Sequence, residues 1–402
     1  MTECSVPRID WRTPEFRTSI YYFTIFMAAG VGTVYGGIWL QDKGMTPGQI
    51  GIINAVPVLI MLGLNMVVGR IADRAGDWRT VIVAGSLIAA VVPLGLFAAN
   101  GFWPILIVWA LNALPMAATL PVADAATIAL TRRRGSDFGT IRSYATVGYL
   151  IMLLATGYIT GWFGAAAYVW LFFIAALMRG GASLLLPNFR APKGDAMAPP
   201  AAAVATHLLQ VMKPWFLFPL VGWAMIYGAL MVLANFQGLI WKREGIDEQT
   251  IGILIAIGAV SEALMMFGYQ FLARRFKARQ LILFSAVVMG ARLVAMAFSP
   301  PVWALAFLQS LHAFNYALGI LASMSFIANW TSEDISAEAQ SFFVVLQQAM
   351  SVGALVAFGW LMGLFGPYAY AALGLFSFAG ATLIFLSLRM QPGRAAAPAS
   401  RG

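Results

Sequence analysis

Five ionisable residues stand in stretches that otherwise hold almost no charge. Asp124 and Arg142 lie 142 − 124 = 18 residues apart in PVADAATIALTRRRGSDFGTIRSYATVGY, which starts at Pro121. They flank a short basic loop on two apolar helical runs, so at a rise of 1.5 Å per residue both sit roughly 6 to 9 Å inside one face. Further along, Glu262, Arg292 and His312 each fall ~16 to 20 Å from the nearer counted end of their own apolar run, a common depth near the middle. An ionisable group in hydrocarbon costs at least ~2.5 to 3.5 kcal/mol, so such groups face a polar path or pair with one another. Arginine offers a planar fork suited to a carboxylate or a diol. A buried carboxylate facing a cation in one state and apolar surroundings in another can take up and release a proton. The plainer alternatives are a structural ion pair at a helix end for Asp124 and Arg142, and a satisfied network that only joins helices for the other three.

The elements that position these residues follow from composition. With 61% hydrophobic, 13% aromatic and only 10% charged residues, the chain reads as an integral membrane protein. Apolar runs of about 20 residues, enough to cross ~30 Å of hydrocarbon, begin near Ile20, Ile50, Val81, Trp103, Gly139, Ala166, Trp215, Ile251, Leu281, Val302, Phe342 and Tyr368. Their continuity predicts an all-α protein of twelve transmembrane helices and argues against a β-barrel. The net charge of +9 does not mark a nucleic-acid partner, because the basic residues cluster in alternate loops, at Arg70–Arg79, Arg132–Arg134, Arg190–Lys193 and Arg274–Arg279. That asymmetry is the positive-inside pattern, and it predicts both termini in the cytoplasm of a bacterial inner membrane. The same charges serve as orientation signals and contacts to membrane lipid. Cys4 is the single cysteine and only His207 and His312 are histidines, so no disulfide, metal site or enzyme constellation is expected. The polar MTECSVPRIDWRTPEFR start carries no cleavable signal pattern.

An internal repeat organises the runs. GMTPGQIGI from Gly44 returns as GIDEQTIGI from Gly245, a separation of 245 − 44 = 201 residues, and the loop GRIADRAGDWR from Gly69 falls opposite QFLARRFKARQ from Gln270. This predicts two pseudo-symmetric six-helix bundles, 1–187 and 211–390, joined by a Pro- and Ala-rich linker at 188–210 and followed by a tail at 391–402.

GRIADRAGDWRTV resembles the signature loop of the major facilitator superfamily, and FGTIRSYATVGYL resembles the branch holding lactose permease, nucleoside:proton symporters and phenylpropionate permeases. The resemblance covers nearly the whole chain. It implies a major facilitator fold and a cytoplasmic gate at Gly69, Asp73, Arg74 and Gly76, where glycines would allow tight turns and Asp73 would accept from backbone N–H groups. An ordinary turn with basic anchors is the alternative there. It also implies substrate contact by Asp124 and Arg142, with Tyr149 two turns on in the position of a sugar-stacking aromatic. Glu262, Arg292 and His312 match the residues that link solute binding to proton movement.

Departures narrow the solute. Gln309 and Asn315 flank His312 where lactose permease has a lysine and a second glutamate, and Met265 replaces a sugar-binding asparagine, which argues against a galactoside. QSLHAF with a neutral Gln309 looks more like the phenylpropionate branch, whose substrates are aromatic acids. Gln309, Asn315 and His312 then join the substrate-binding set, and Gln347 and Gln348 are further hydrogen-bonding groups. An entering monoanion would favour uptake of one proton, so the proton is the coupling ion and no other cofactor is expected. The sequence is read as a monomeric proton-coupled symporter importing an aromatic acid, nucleoside or sugar-like solute by alternating access. A proton-driven efflux antiporter and a non-transporting receptor or scaffold are the competing classes. No proline lies between Pro121 and Pro187, so the Gly-Pro motif of drug antiporters is missing from the fifth run.

Overall fold

The computed structural model describes residues 12–189, 213–331 and 333–390, without the side chains of several residues inside helices, Asp73 among them. The expected linker from 190 on and the tail at 391–402 lie outside the described residues. Those described are helical throughout, with no strand among them. The order is α1 (Pro14–Asp42), α2 (Pro47–Arg74), α3 (Trp78–Val91), α4 (Phe102–Arg134), α5 (Phe138–Phe163) and α6 (Ala167–Leu184). There follow α7 (Pro214–Arg243), α8 (Glu248–Ala273), α9 (Ala278–Met296), α10 (Val302–Ser310), α11 (Gly319–Trp330), α12 (Glu333–Phe365) and α13 (Ala369–Arg389). A short 3₁₀ turn and the helix Gly95–Ala98 continue α3, and a π turn at Phe314–Leu318 leads from α10 into α11. By length and apolarity nine helical stretches among the described residues can cross a membrane, or ten if the bent α1 counts as one span.

The chain divides into two compact units, one of Met1–Gly32 with Gly63–Met197 and the other of Thr33–Leu62 with Ala198–Gly402. The hairpin Thr33–Leu62 thus packs within the second unit. There the Tyr35 hydroxyl donates to the Glu248 carbonyl at 3.2 Å and Arg243 Nε to Gln41 Oε1 at 2.5 Å.

Helix ends show why the repeat spacing matters. Gly44 and Gly245 adopt φ of 78° and 86°, the left-handed region that glycine enters without a Cβ penalty. Met45 N–H then bonds Leu40 O and Ile246 N–H bonds Trp241 O, closing the last turns of α1 and α7 in the same way. One residue further, Thr46 and Asp247 begin the next helices: Thr46 Oγ1 accepts from Gln49 N–H and Asp247 Oδ1 from Thr250 N–H. Arg79 donates to the carbonyls of Leu184, the last residue of α6, and of Leu186 just after it, and Arg279 donates to Ser387 O at 2.5 Å at the end of α13. Basic loop residues therefore also cap helix C-termini. Asp137 heads α5 as Asp247 heads α8, and hydrogen bonds from the backbone of Thr140 and Thr250 hold both carboxyls below the ordinary aspartate range.

In the expected gate loop, the carboxylate that caps α3 is Asp77, which accepts from Arg79 N–H at 2.7 Å and from Phe189 N–H at 3.0 Å. Gly69 lies inside α2 rather than in a turn, because α2 runs on to Arg74, and Gly76 is not among the glycines with positive φ. The turn is closed by Asp77 capping, so it needs no left-handed glycine. Arg74 is exposed at the end of α2, and the side chain of Asp73 lies outside the described residues.

Close helix crossings use missing side chains. A Cβ at Gly148 would stand 2.0 Å from the Phe23 carbonyl oxygen, so α5 rests directly on the α1 backbone. In the second unit Gly222 of α7 and Gly380 of α13 approach likewise, with each other's carbonyls 2.7 and 2.9 Å from their ideal Cβ positions. Gly148→Ala is expected to force α1 and α5 apart and destabilise by about 1 to 3 kcal/mol, read as a lowered unfolding temperature in detergent. An unchanged temperature would show that the crossing relaxes freely.

Candidate functional site

The first cluster is built by α1, α4 and α5. Tyr21, Tyr22, Ile25, Ala126, Ile141 and Ala145 are buried together, which fixes the three helices at this level. The Tyr22 hydroxyl donates to Asp124 Oδ1 at 2.6 Å. Arg142 Nε lies 3.7 Å from the same oxygen, with the two side chains 32% and 35% exposed. Arg142 also stacks its guanidinium over Phe26, Cζ standing 4.4 Å from the ring centroid, and over Tyr22 at 5.6 Å. One nitrogen thus faces Asp124, and the Nη atoms make no hydrogen bond among the described residues. Half-buried Tyr149 follows two turns along α5, its carbonyl packed where α5 meets Gly30 of α1.

Sequence reasoning brought Asp124 and Arg142 to one depth, and the structure puts them in contact. It missed Tyr22 and Phe26, which no local pattern ties to a carboxylate 102 residues away. It also missed Arg179, only 3% exposed in α6, which donates to Thr119 Oγ1 at 2.6 Å. The signal was there: one arginine in the apolar run ALMRGG deserves the default reading of an intramembrane charge.

The second cluster lies on α7, α8, α9 and the α10–α11 break. Glu262 Oε2 is 3.4 Å from His312 Nε2. The other ring nitrogen, Nδ1, lies 3.4 Å from Arg292 Nη1, so the imidazole bridges carboxylate and guanidinium. The three residues expected at one depth thus meet, with the imidazole standing between Glu262 and Arg292. Arg292 is 1% exposed and donates to Asn315 Oδ1 at 3.3 Å and to Gln309 Oε1. No carboxylate is among its described partners. Gln309 in turn donates to Gln237 Oε1 of α7 at 3.3 Å, and Asn315 Nδ2 to the Ser285 carbonyl at 3.2 Å. The π turn Phe314–Leu318 aligns Tyr316 with His312, their rings parallel at 6.1 Å between centroids. Such single π turns often mark functional sites, and nothing in LHAFNYALG announces this one. Gln237 was likewise not expected, since a lone glutamine in α7 reads as helix glue.

The geometry can do two kinds of chemistry. The first cluster offers an open guanidinium edge among aromatic rings. The second offers a proton-accepting carboxylate linked through an imidazole to a buried cation. Among the described residues no group of three or more His, Cys, Asp or Glu side chains is placed to hold a metal.

Comparison with known proteins decides the class. The model of the MFS_1 like family matches residues 16–371. The chain belongs to the MFS_1 like family. With several helices able to cross a membrane and transporters among its relatives, it is a multi-pass membrane transporter of small solutes. It is similar to the probable 3-phenylpropionic acid transporter of Escherichia coli (strain K12), 26% identical over 88% of this chain and 90% of that one. It is also similar to the maltose permease of Geobacillus stearothermophilus, 23% identical over 83% of each. Among solved structures the nucleoside transporter NupG shares the fold, with a TM-score of 0.82 at 16% identity over 94% of this chain and 100% of that one. An MFS_1 like transporter with this first cluster gives a direct mutational test. Arg142→Lys is expected to weaken solute binding at least about tenfold, because an ammonium cannot present two parallel donors while lying over Phe26. Unchanged affinity in equilibrium binding would leave Arg142 as a structural ion pair with Asp124.

Proposed function

We propose that the protein is a proton-coupled symporter that imports a small aromatic monocarboxylate by alternating access. The observation that carries this reading is the Arg142 edge, one-third exposed, without hydrogen bonds at its Nη atoms among the described residues and stacked on Phe26 and Tyr22. A carboxylate would take the two donors in a fork, and the ring of the solute would pack on the neighbouring aromatic faces, Tyr149 included. Asp124, tied to Tyr22, holds the guanidinium in place. Glu262 would carry the coupled proton, and His312 would sense its charge state against Arg292, with Gln309 and Asn315 as neutral partners of that cation.

The same reading covers the architecture. The 51-residue stretch Ala339–Arg389 is taken as two crossings divided at Gly366–Tyr368, and Phe102–Ala113 with the rest of α4 as one more. With α1 as a single span this gives twelve helices in two six-helix bundles, 1–187 and 211–390, with both termini in the cytoplasm of the inner membrane. The charge asymmetry of the loops supports that orientation. The gate at Gly69, Asp73, Arg74 and Gly76 belongs to the same proposal, as does a monomeric working unit.

The test is uptake into proteoliposomes under an imposed pH difference, interior alkaline, comparing a labelled aromatic monocarboxylate, its uncharged amide, a nucleoside and a disaccharide. The acid is expected to accumulate and the amide to stay at equilibrium. Accumulation of the nucleoside or the disaccharide with the acid excluded would overturn the Arg142 assignment. Movement only with the opposite gradient would make the protein an exporter.

A further inference from the structure

The second unit holds a cavity that plays no part in the clusters above. It lies between the α8–α9 loop and the end of α11 and has a volume of about 720 Å³, within the ~300 to 1,000 Å³ range of small-ligand sites. Arg274, Arg275, Lys277 and Arg279 line it, and the described lining includes no acidic residue. Arg279 is committed to the fold through Ser387. Arg275 lies over the exposed ring of Phe271, with Cζ 4.2 Å from its centroid. Arg274 and Lys277 are exposed and enter no ion pair among the described residues.

Across the cavity from these charges stand Trp330 and Asn329 of α11, and Tyr269 bonds Ser325 at 2.8 Å to tie α8 to α11 at its edge. The repeat supplies an internal comparison. In the first half the residue that heads α3 is Asp77, whereas the residue that heads α9 is Lys277. At the 201-residue spacing Asp73 falls opposite Arg274 (274 − 73 = 201) and Asp77 opposite Ala278 (278 − 77 = 201), so the second loop, from Arg274 to Arg279, has no carboxylate of its own. A signal that only orients the chain needs charge and no cavity. Here cations share a half-open hollow with a tryptophan and a tyrosine, the pairing found where polar headgroup and hydrocarbon meet. Phe271 and Phe267, 60% and 89% exposed and one turn apart on α8, continue an apolar track away from the cavity.

We propose that this cavity binds the phosphodiester headgroup of an anionic phospholipid, with Arg274, Arg275 and Lys277 on the phosphate and the acyl chains running along Phe271 and Phe267. The arginine forks match phosphate oxygens, and the aromatic track fits a ligand with a tail rather than a free phosphate. The site is independent of which solute the transporter carries, so its test does not use transport.

Delipidated, purified protein is titrated with phosphatidylglycerol and with phosphatidylethanolamine, and bound lipid is counted by native mass spectrometry. The wild type is expected to prefer phosphatidylglycerol. The triple variant Arg274→Gln, Arg275→Gln, Lys277→Gln should lose on the order of 100-fold in affinity for it, each basic residue near an anionic surface being worth roughly fivefold. Its unfolding temperature checks that the fold persists. Brominated phosphatidylglycerol should quench tryptophan emission in the wild type more than in Trp330→Phe. Equal affinity in the triple variant, or quenching that does not depend on Trp330, would overturn the proposal. Displacement of the lipid by millimolar glycerol phosphate would replace it with a soluble phosphate site.

Discussion

Glu262→Gln is expected to abolish accumulation driven by a proton gradient while leaving solute exchange close to wild type. The amide keeps the shape of the carboxylate and can still offer an oxygen to His312 Nε2, which lies 3.4 Å from Glu262 Oε2. It cannot take up or release a proton. With one proton per solute, a difference of about one pH unit limits accumulation to about tenfold, since ~1.4 kcal/mol is one decade. In the variant that ratio should fall to about one, while exchange of internal for external solute, which needs no net proton movement, continues. Exchange and accumulation are measured on the same vesicles, so loss of both would indicate a misfolded or non-binding protein. Accumulation at the wild-type ratio would remove Glu262 from the coupling role.

Arg292 gives the second large effect. Its guanidinium is buried, and it is held by Gln309, Asn315 and His312 without a carboxylate among its described partners. Arg292→Gln removes the cation facing His312 and leaves those acceptors to be satisfied by a shorter neutral side chain. Each unsatisfied buried group costs about 1 to 3 kcal/mol, so stability falls as well. Arg292→Lys keeps the charge but reaches fewer acceptors and serves as the companion variant. The expected signature is a drop in protons carried per solute well below one in Arg292→Gln, with partial recovery in Arg292→Lys. A purely structural arginine would lower the amount of active protein and leave the proton-to-solute ratio of the active fraction unchanged. The ratio is therefore the decisive readout.

Residues whose roles depend on near neighbours in the chain were legible in the sequence. Gly44 and Gly245 terminate helices because a left-handed residue is needed where the chain turns, and the turn recurs at the repeat spacing. Asp124 and Arg142 sit on consecutive helices, so residue counting from the loop placed both at one level. What escaped depends on tertiary approach. Tyr22 reaches Asp124 from a helix 102 residues away in the chain, and Gly148 and Gly30 let that same helix lie against α5. The π turn at Phe314–Leu318 holds no glycine or proline of its own to signal it, and it carries Asn315 and Tyr316, which both approach the His312 cluster. Asp77, in the same loop as Asp73, escaped as the capping group because it depends on where α2 ends, at Arg74, and α3 begins, at Trp78. Gln237 could be connected to Gln309 and Arg292 only once α7 was seen to pack on that network.

Aromatic recognition and proton coupling meet in one quantity, the proton that enters with each solute molecule. The most direct measurement is internal pH in proteoliposomes holding the purified transporter, with no gradient imposed, as an aromatic monocarboxylate is added outside. The account predicts internal acidification beyond that of protein-free vesicles, saturating with solute and absent in Glu262→Gln. Protein-dependent entry of the labelled acid with no change in internal pH beyond the protein-free drift would contradict it.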